Sequence, residues 1–332
     1  MGEFDLIARY FKRPARRAAL GVGDDCALLQ PRPGTQLAIS SDMLVQGRHF
    51  FADADVFLLG HKALAVNLSD LAACAAQPVA FTLALSLPSA DEAWLAAFAQ
   101  GLFALADAHD CELIGGDTTA GPLNICITVF GEVPVKNGQS QALLRSGAMP
   151  GDDLYASGTL GDARLALDVL LGHITVPADV LAKARSRLEC PTPRVALGLA
   201  LRGLASAAID VSDGLIGDLG HILERSAVGA VLDADAAASL LASCAYLERD
   251  EGQFGNELTQ EQRRTLTLCG GDDYELLFTA PPSQRAAVDA AAQVSQTPVT
   301  RIGRIDAEPG LRLVDGQGAR IRNTYASFDH FA

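Results

Sequence analysis

Hydrophobic and polar positions alternate with period two over TQLAISSDML (35–44), which predicts a half-buried strand ending on Ser40, Ser41 and Asp42, with His49 a short loop away. The pattern then changes. LAVNLSDLAACAA (64–76) is almost entirely small or apolar and reads as a helix, with Asp53 and Asp55 upstream as end signals and Pro78 as its stop. At helical spacing Asn67, Asp70 and Cys74 share one face, while Leu64, Leu68, Leu71 and Ala75 form the packing side. A carboxylate among apolar neighbours requires a partner, because desolvation disfavours its charged form. The nearest basic residue in sequence is Lys62. Three readings of Asp70 stay open: a metal ion, a distant Arg brought near by folding, and a helix face that merely touches water.

Around this centre an N-terminal helix is followed by a glycine-rich turn, GVGDDCALLQ (21–30), carrying Asp24 and Asp25. VAFTLALSL (79–87) predicts a buried strand and 91–109 a helix. CELIGGDTTAG (111–121) predicts a short strand entering a glycine turn that presents Asp117, Thr118 and Thr119, and LNICITVFGEV (123–133) a further strand. KNGQSQ (136–141) is a surface loop, and the Pro and Gly of 145–163 open a second domain. There strands are expected over 153–157, 207–212, 228–233, the end of 269–280, and near 298–305 and 311–315. Helices are expected over 162–171, 195–204, 213–225 and 283–294, whereas 234–262 shows no clear pattern. Strands interleaved with helices in both halves indicate α/β or α+β layering in two domains, 1–140 and 141–332, with no short-period repeat.

With 332 residues, 49% hydrophobic and 20% charged, the chain is long and apolar enough for two cored domains rather than a disordered segment. A formal charge of −14 argues against nucleic-acid or anionic-membrane surfaces and raises the question of how an anionic substrate could be held. Seven cysteines without a C-x-x-C pair read as small buried residues of a reducing compartment. The N-terminus has no apolar core of signal-peptide length, and no run approaches the roughly 20 apolar residues of a bilayer span, so a cytoplasmic location is expected. The basic cluster Arg9, Lys12, Arg13, Arg16 and Arg17 reads as a solvated helix end.

The candidate chemistry lies in a recurring device, a small-residue or glycine turn presenting aspartate: Asp24–Asp25, Asp42, Asp70, Asp117, Asp210, Asp213 and Asp272–Asp273. Each alone reads equally as a turn residue or N-cap, and Asp213 is a plausible cap of the helix GLIGDLGHIL. Asp152, Asp153 and Asp162 are taken as structural. The others fall at strand ends, where α/β proteins bind ligands, and converging carboxylates require cations among them. Carboxylates and hydroxyls without clustered His or Cys suit Mg²⁺ before Mn²⁺. Magnesium would also let an acidic protein hold ATP, and Arg145 at the domain junction could supply a fixed positive charge for phosphoryl transfer. The G-x-x-x-x-G-K-[ST], G-x-G-x-x-G and G-x-S-x-G motifs are absent from the sequence.

GVGDDCALL, ISSDMLVQGRHF, KALAVNLSDLAA, LIGGDTT, RSGAMPGD, AIDVSDGL and GGDDYELLF, in this order and spacing, resemble the bacterial thiamine-monophosphate kinase family. The likeness runs from GEFDLIARYF to the closing FDHFA. The resemblance implies the two-domain fold of the aminoimidazole-ribonucleotide synthetase superfamily, with dimerisation through the N-terminal domain and a C-terminal domain that completes the active site. It implies direct in-line transfer of the ATP γ-phosphoryl group to thiamine monophosphate with several Mg²⁺ ions. It places Asp25, Ser40, Ser41, Asp42, Asp70, Asp117, Asp210 and Asp213 at metal positions, and Gly116, Asp117, Arg145 and Ser212 at the ATP site. His49, Asp272 and Phe328 match substrate positions. The family's GGEDYE is GGDDYE here, one methylene shorter at Asp272. The rival readings are another ATP-using member of the superfamily, a catalytically silent binding module, and a metal-dependent phosphohydrolase.

Overall fold

The structure, a computed structural model, describes residues 2–243 and 258–326. It divides into two compact units, Met1–Leu71 with Ala76–Ala142, and Ala72–Ala75 with Leu143–Ala332.

In the first unit, one helical turn α1 (Glu3–Leu6) continues as a π-helical turn, Ile7–Phe11, and ends before Pro14. Then follow β1 (Thr35–Val45), α2 (Val56–Ala73), β2 (Gln77–Leu87), α3 (Glu92–Ala108), β3 (Glu112–Ala120), β4 (Asn124–Lys136) and the two-residue β5 (Gln139–Ser140). The sheet runs β1-β4-β2-β3, antiparallel except for the β2/β3 pair, with β5 folded back on β4. The central helix begins eight residues earlier than its apolar run suggests. The Asp55 carboxylate accepts from the Leu58 N–H at 3.0 Å, satisfying a first-turn donor that would otherwise be unpaired. The helix also stops sooner, at Ala73, leaving Pro78 inside β2.

Buried residues surround α2 almost completely. It packs so closely on α3 that a Cβ at Gly101 would lie 1.8 Å from the Phe57 carbonyl oxygen. By length and composition α2 passes for a membrane-crossing helix, but Lys62 and Asp70 interrupt its apolar run and 72% of it is buried inside the protein. The basic cluster is largely solvent-exposed around the helix end, and its arginines also form ion pairs. Arg9 pairs with Glu92, Arg13 with Asp107, Arg16 with Asp110 and Glu112, and Arg17 with Asp110, fastening the N-terminal segment to α3 and β3.

The second unit contains β6 (Asp153–Ser157), α4 (Asp162–Leu170), α5 (Ala178–Glu189), α6 (Val195–Ala200), β7 (Ala207–Val211), α7 (Leu215–Ser226), β8 (Gly229–Asp233) and α8 (Ala234–Ala238). These are followed by α9 (Gln260–Cys269), β9 (Glu275–Ala280), α10 (Arg285–Val294), β10 (Val299–Asp306), β11 (Gly310–Val314) and β12 (Arg320–Ile321). Among the described residues its sheet is β12-β11-β8-β10-β6-β9-β7, antiparallel apart from β11/β8. Leu154, Ile209, Leu219, Ile222, Leu232 and Leu277 build its main core. The three aspartates taken as structural hold local geometry. Asp152 accepts from the Met149 N–H at 2.9 Å, Asp153 pairs with Arg285 and Arg301, and Asp162 accepts from both Ser243 donors. The six described cysteines form no disulfide, and burial pushes the Cys111 thiol up to about 12.

Candidate active site

In the first unit β1 and β3 are opposite edges of the sheet. Asp42, Ile127, Leu83 and Gly116 pair successively in one row across its four strands. Strand spacing makes that row about 14 Å long. Asp42 at one edge and Asp117 at the other therefore cannot ligate one ion within this unit.

Alternation along β1 sends Ser40 and Asp42 to one face and Ser41 to the other. The Ser40 hydroxyl donates to Asp70 Oδ2, and the Asp42 N–H donates to Asn67 Oδ1 at 3.0 Å. Asn67 in turn donates to the Ala63 carbonyl at 3.0 Å. The polar face of α2 thus points at β1, and the half-buried Asp70 has a hydroxyl partner. Ser41 donates to the Ile127 carbonyl at 3.1 Å and lies 3.0 Å from the Thr128 hydroxyl, on the opposite face beside exposed Ile39 and Met43. His49 is half-buried, its Nδ1 accepting from the Val45 N–H at 3.0 Å, which fixes the ring at the end of β1.

At the other edge Asp24, Asp25, Gly116 and Asp117 line one cleft of about 590 Å³, with Phe4 and Phe11 in its wall. Asp117 is not in a turn, as its glycines suggest, but inside β3. Parallel pairing with β2 continues to Leu87↔Ala120, and a register shift after Phe81 accommodates the glycine pair. Gly116 has φ +145°, and a Cβ there would meet the Leu83 carbonyl oxygen at 1.8 Å. Only glycine lets β3 pass β2 so closely beside the cleft.

In the second unit Asp210 is buried on β7, and the turn that follows carries Ser212 and Asp213. Asp213 is not the cap of α7. That position is Gly214, at φ +112°, and no side chain caps it. Asp218 in the first helical turn takes the role, accepting from the Ser212 and Asp213 N–H groups at 3.0 and 3.2 Å. Burial, reinforced by the Asp213 charge, pushes Asp218 up to about 7, against a smaller downward pull from the Arg145 guanidinium. Arg145 is exposed, and its carbonyl accepts from Ser226 at 3.2 Å.

Asp272 joins the same turn. Its N–H donates to the Ser212 carbonyl at 2.9 Å, and Tyr274 N–H donates to that of Val211 at 2.8 Å. The Tyr274 hydroxyl donates to Asp272 Oδ1 at 3.1 Å. Both residues occupy the left-handed region, at φ +62° and +50°, where side chains other than glycine are strained. Ion pairs beneath hold them there. Fully buried Glu275 accepts from Ser157 at 2.6 Å, Arg187 at 2.7 Å and Arg194 Nε at 2.6 Å. Buried Asp273 accepts from the Gly161 N–H with both oxygens, and desolvation raises it well above the usual carboxylate range.

The expected residues therefore form three groups. Ser40, Asp42 and Asp70 meet between β1 and α2, while Asp25, Gly116 and Asp117 meet in the cleft. Ser212, Asp213 and Asp272 share the turn of the second unit, with Asp210 at the end of β7. Phe328 lies outside the described residues. No three His, Cys, Asp or Glu side chains among the described residues gather closely enough to hold a metal ion by themselves. This donor set, all oxygen and one or two carboxylates at a time, fits Mg²⁺ held jointly with phosphate oxygens rather than in a protein cage. The sequence reading passes over Asp218 and the Glu275 ion pairs. The signal for Asp218 is its place as an acid in the first turn of α7.

The N-terminal domain family of AIR synthase related proteins matches residues 23–133, and the corresponding C-terminal domain family matches residues 150–316. Over its whole length the chain is 46% identical to the thiamine-monophosphate kinase of Salmonella typhimurium, 98% of which is covered. The crystal structure of thiamine-monophosphate kinase from Stenotrophomonas maltophilia K279a superposes with a TM-score of 0.81 at 46% identity, covering 96% of each chain. That of AaThiL complexed with AMPPCP and TMP superposes with a TM-score of 0.74 at 25% identity, covering 91% of this chain and 89% of that one.

Proposed function

This chain belongs to the thiamine-monophosphate kinase family, and on that premise we propose that it transfers the γ-phosphoryl group of ATP to thiamine monophosphate, yielding thiamine diphosphate and ADP. The observation that carries the reading is the cleft shared by Asp25, Gly116 and Asp117, where a close-packed glycine backbone stands beside two carboxylates. A relative that holds AMPPCP and TMP together supports the same pair of substrates.

Attacking and leaving groups are both phosphates, so the nucleophilic oxygen is already ionised at neutral pH and no strong general base is needed. Catalysis reduces to alignment and charge neutralisation. Asp25, Asp42, Asp70, Asp117, Asp210 and Asp213, with Ser40, would be oxygen donors to magnesium, whereas Ser41, whose hydroxyl turns to the other face of β1, does not join them. Magnesium held by such donors would supply neutralisation of the phosphate charge. Gly116 and Ser212 approach the nucleotide, and Arg145 offers it a fixed positive charge. His49 and Asp272 serve thiamine monophosphate, Asp272 being held by Tyr274.

Homodimerisation through the first domain is supported by the exposure of Ile39 and Met43 on one face of the edge strand β1. A cytoplasmic location accords with a biosynthetic kinase using ATP.

The test is incubation with ATP, Mg²⁺ and thiamine monophosphate, followed by chromatographic separation of products. Equimolar thiamine diphosphate and ADP, lost on adding EDTA, is the expected result. ADP without thiamine diphosphate would indicate a hydrolase or a different acceptor, and no product despite ATP binding would indicate a silent binding module.

A further inference from the structure

Five basic residues lie between positions 9 and 17, and four of them are spent on ion pairs with Glu92, Asp107, Asp110 and Glu112. Lys12 differs. Among the described residues it joins no ion pair, and its side chain turns the other way, onto the glycine turn. A Cβ placed on Gly23, which has φ +123°, would stand 3.1 Å from the Lys12 ammonium nitrogen. Gly23 lines the cleft of Asp24, Asp25, Gly116 and Asp117, and so does Phe11, the residue before Lys12. The ammonium group therefore rests at the edge of that cleft, over a residue with no side chain to screen it.

The ion pairs explain why it stays there. Arg13 lies over the Phe103 ring, 3.6 Å from its centroid, while pairing with Asp107. Buried Glu112 accepts the backbone N–H groups of Arg16 and Arg17 with both oxygens. The chain on the far side of Lys12 is thus clamped to α3 and β3, and Phe11, 4% exposed, anchors the near side. A flexible lysine between two fixed points in a chain of net charge −14 is a placed cation.

We infer that Lys12 is a further binding residue of the cleft and contacts the polyphosphate of the nucleotide. The inference rests on the proposed use of this cleft by ATP. A lysine is a compact point charge that suits phosphate oxygens. At the rim it offsets the repulsion that Asp24 and Asp25 impose on an incoming triphosphate before any cation is shared. It forms no bond with the substrate and contributes binding rather than chemistry.

The experiment compares full-length wild type, Lys12→Gln and Lys12→Arg by steady-state kinetics, varying ATP and thiamine monophosphate separately at saturating Mg²⁺. Wild-type turnover tests the kinase reading by itself, so a failure of that reading is seen before any variant is made. In Lys12→Gln the KM for ATP rises roughly tenfold, while kcat, the KM for thiamine monophosphate and the melting temperature stay as in wild type. Lys12→Arg restores most of the loss, and raising ionic strength weakens ATP use less in Lys12→Gln than in wild type. Binding of inorganic triphosphate, followed calorimetrically, weakens in parallel. An unchanged KM for ATP overturns the assignment. So does a lowered half-saturating Mg²⁺ concentration with ATP use intact, which would make Lys12 an internal counter-ion of Asp24 and Asp25. A rise confined to thiamine monophosphate would place the other substrate at this edge and overturn it equally.

Discussion

The hydroxyl of Ser40 on β1 donates to the carboxylate of Asp70 in the middle of α2, tying an edge strand to the most buried helix of the first domain. Asp70 therefore sits where a strand and a helix meet, a half-buried carboxylate whose Oδ2 accepts from Ser40. Asp70→Asn keeps the size of the side chain and removes the charge. We expect turnover to fall by at least a hundredfold, with the circular dichroism spectrum and melting temperature close to wild type. Retention of wild-type kcat in a Mg²⁺ titration would remove the metal role of this residue.

Arg145 is exposed, yet its charge reaches Asp218 at the start of α7. Arg145→Ala is expected to raise the KM for ATP several-fold or more, with a smaller effect on thiamine monophosphate. Steady-state kinetics with each substrate varied in turn separates the two, and an unaltered KM for ATP would mean that the phosphate charge is met by other groups.

Glu275 is buried beneath the Asp272–Tyr274 turn and is shared by Arg187 and Arg194, whose side chains are 18% and 16% exposed. Removing its charge leaves two largely buried guanidinium groups without their counter-ion. Glu275→Gln should destabilise the fold by roughly 3 kcal/mol, read as a lower midpoint in urea. An unchanged midpoint would show that water or a neighbouring acid replaces the lost charge.

Arg285, with Arg301, holds the Asp153 carboxyl below the usual carboxylate range. A carboxyl lowered in the folded state stabilises it at pH values above the unfolded-state pKa. That contribution disappears as the pH falls through the folded-state value. Asp153→Asn should therefore melt below wild type at pH 7, and the gap should narrow as the pH drops below about 4. Parallel thermal scans across pH 7 to 3 test this, and a gap of constant size would exclude the linkage.

Much of this architecture is legible in the residues. The strand at Thr35–Val45 and the helix at Glu92–Ala108, capped by Asp91, follow from alternation and a cap signal. The helix Ala178–Glu189 is absent from the sequence reading although Val180, Ala184 and Leu188 recur at helical spacing. Asp117 was expected in a turn because glycines usually mark turns, whereas here Gly116 allows a close passage between parallel strands. The grouping of the aspartates was not legible at all. Aspartates presented by similar small-residue and glycine segments suggest one centre, and only strand order reveals that Asp42 and Asp117 belong to opposite edges. Asp218 escaped for a related reason, since its bonds to Ser212 and Asp213 depend on the path of the turn before α7.

The row that joins Asp42 through Ile127 and Leu83 to Gly116 also limits how this chain can change in length. One residue inserted within β2 or β4 would shift every pairing beyond it and turn alternate side chains to the wrong face. The spacing between the two edges would then be lost together with the core of Leu83, Leu85, Ile125 and Ile127. The Asn137–Gly138 hairpin lies past the end of that row, with Asn137 and Gly138 already in left-handed conformations. Homologues are therefore free to gain or lose residues at that hairpin, while the interior strands keep a fixed count.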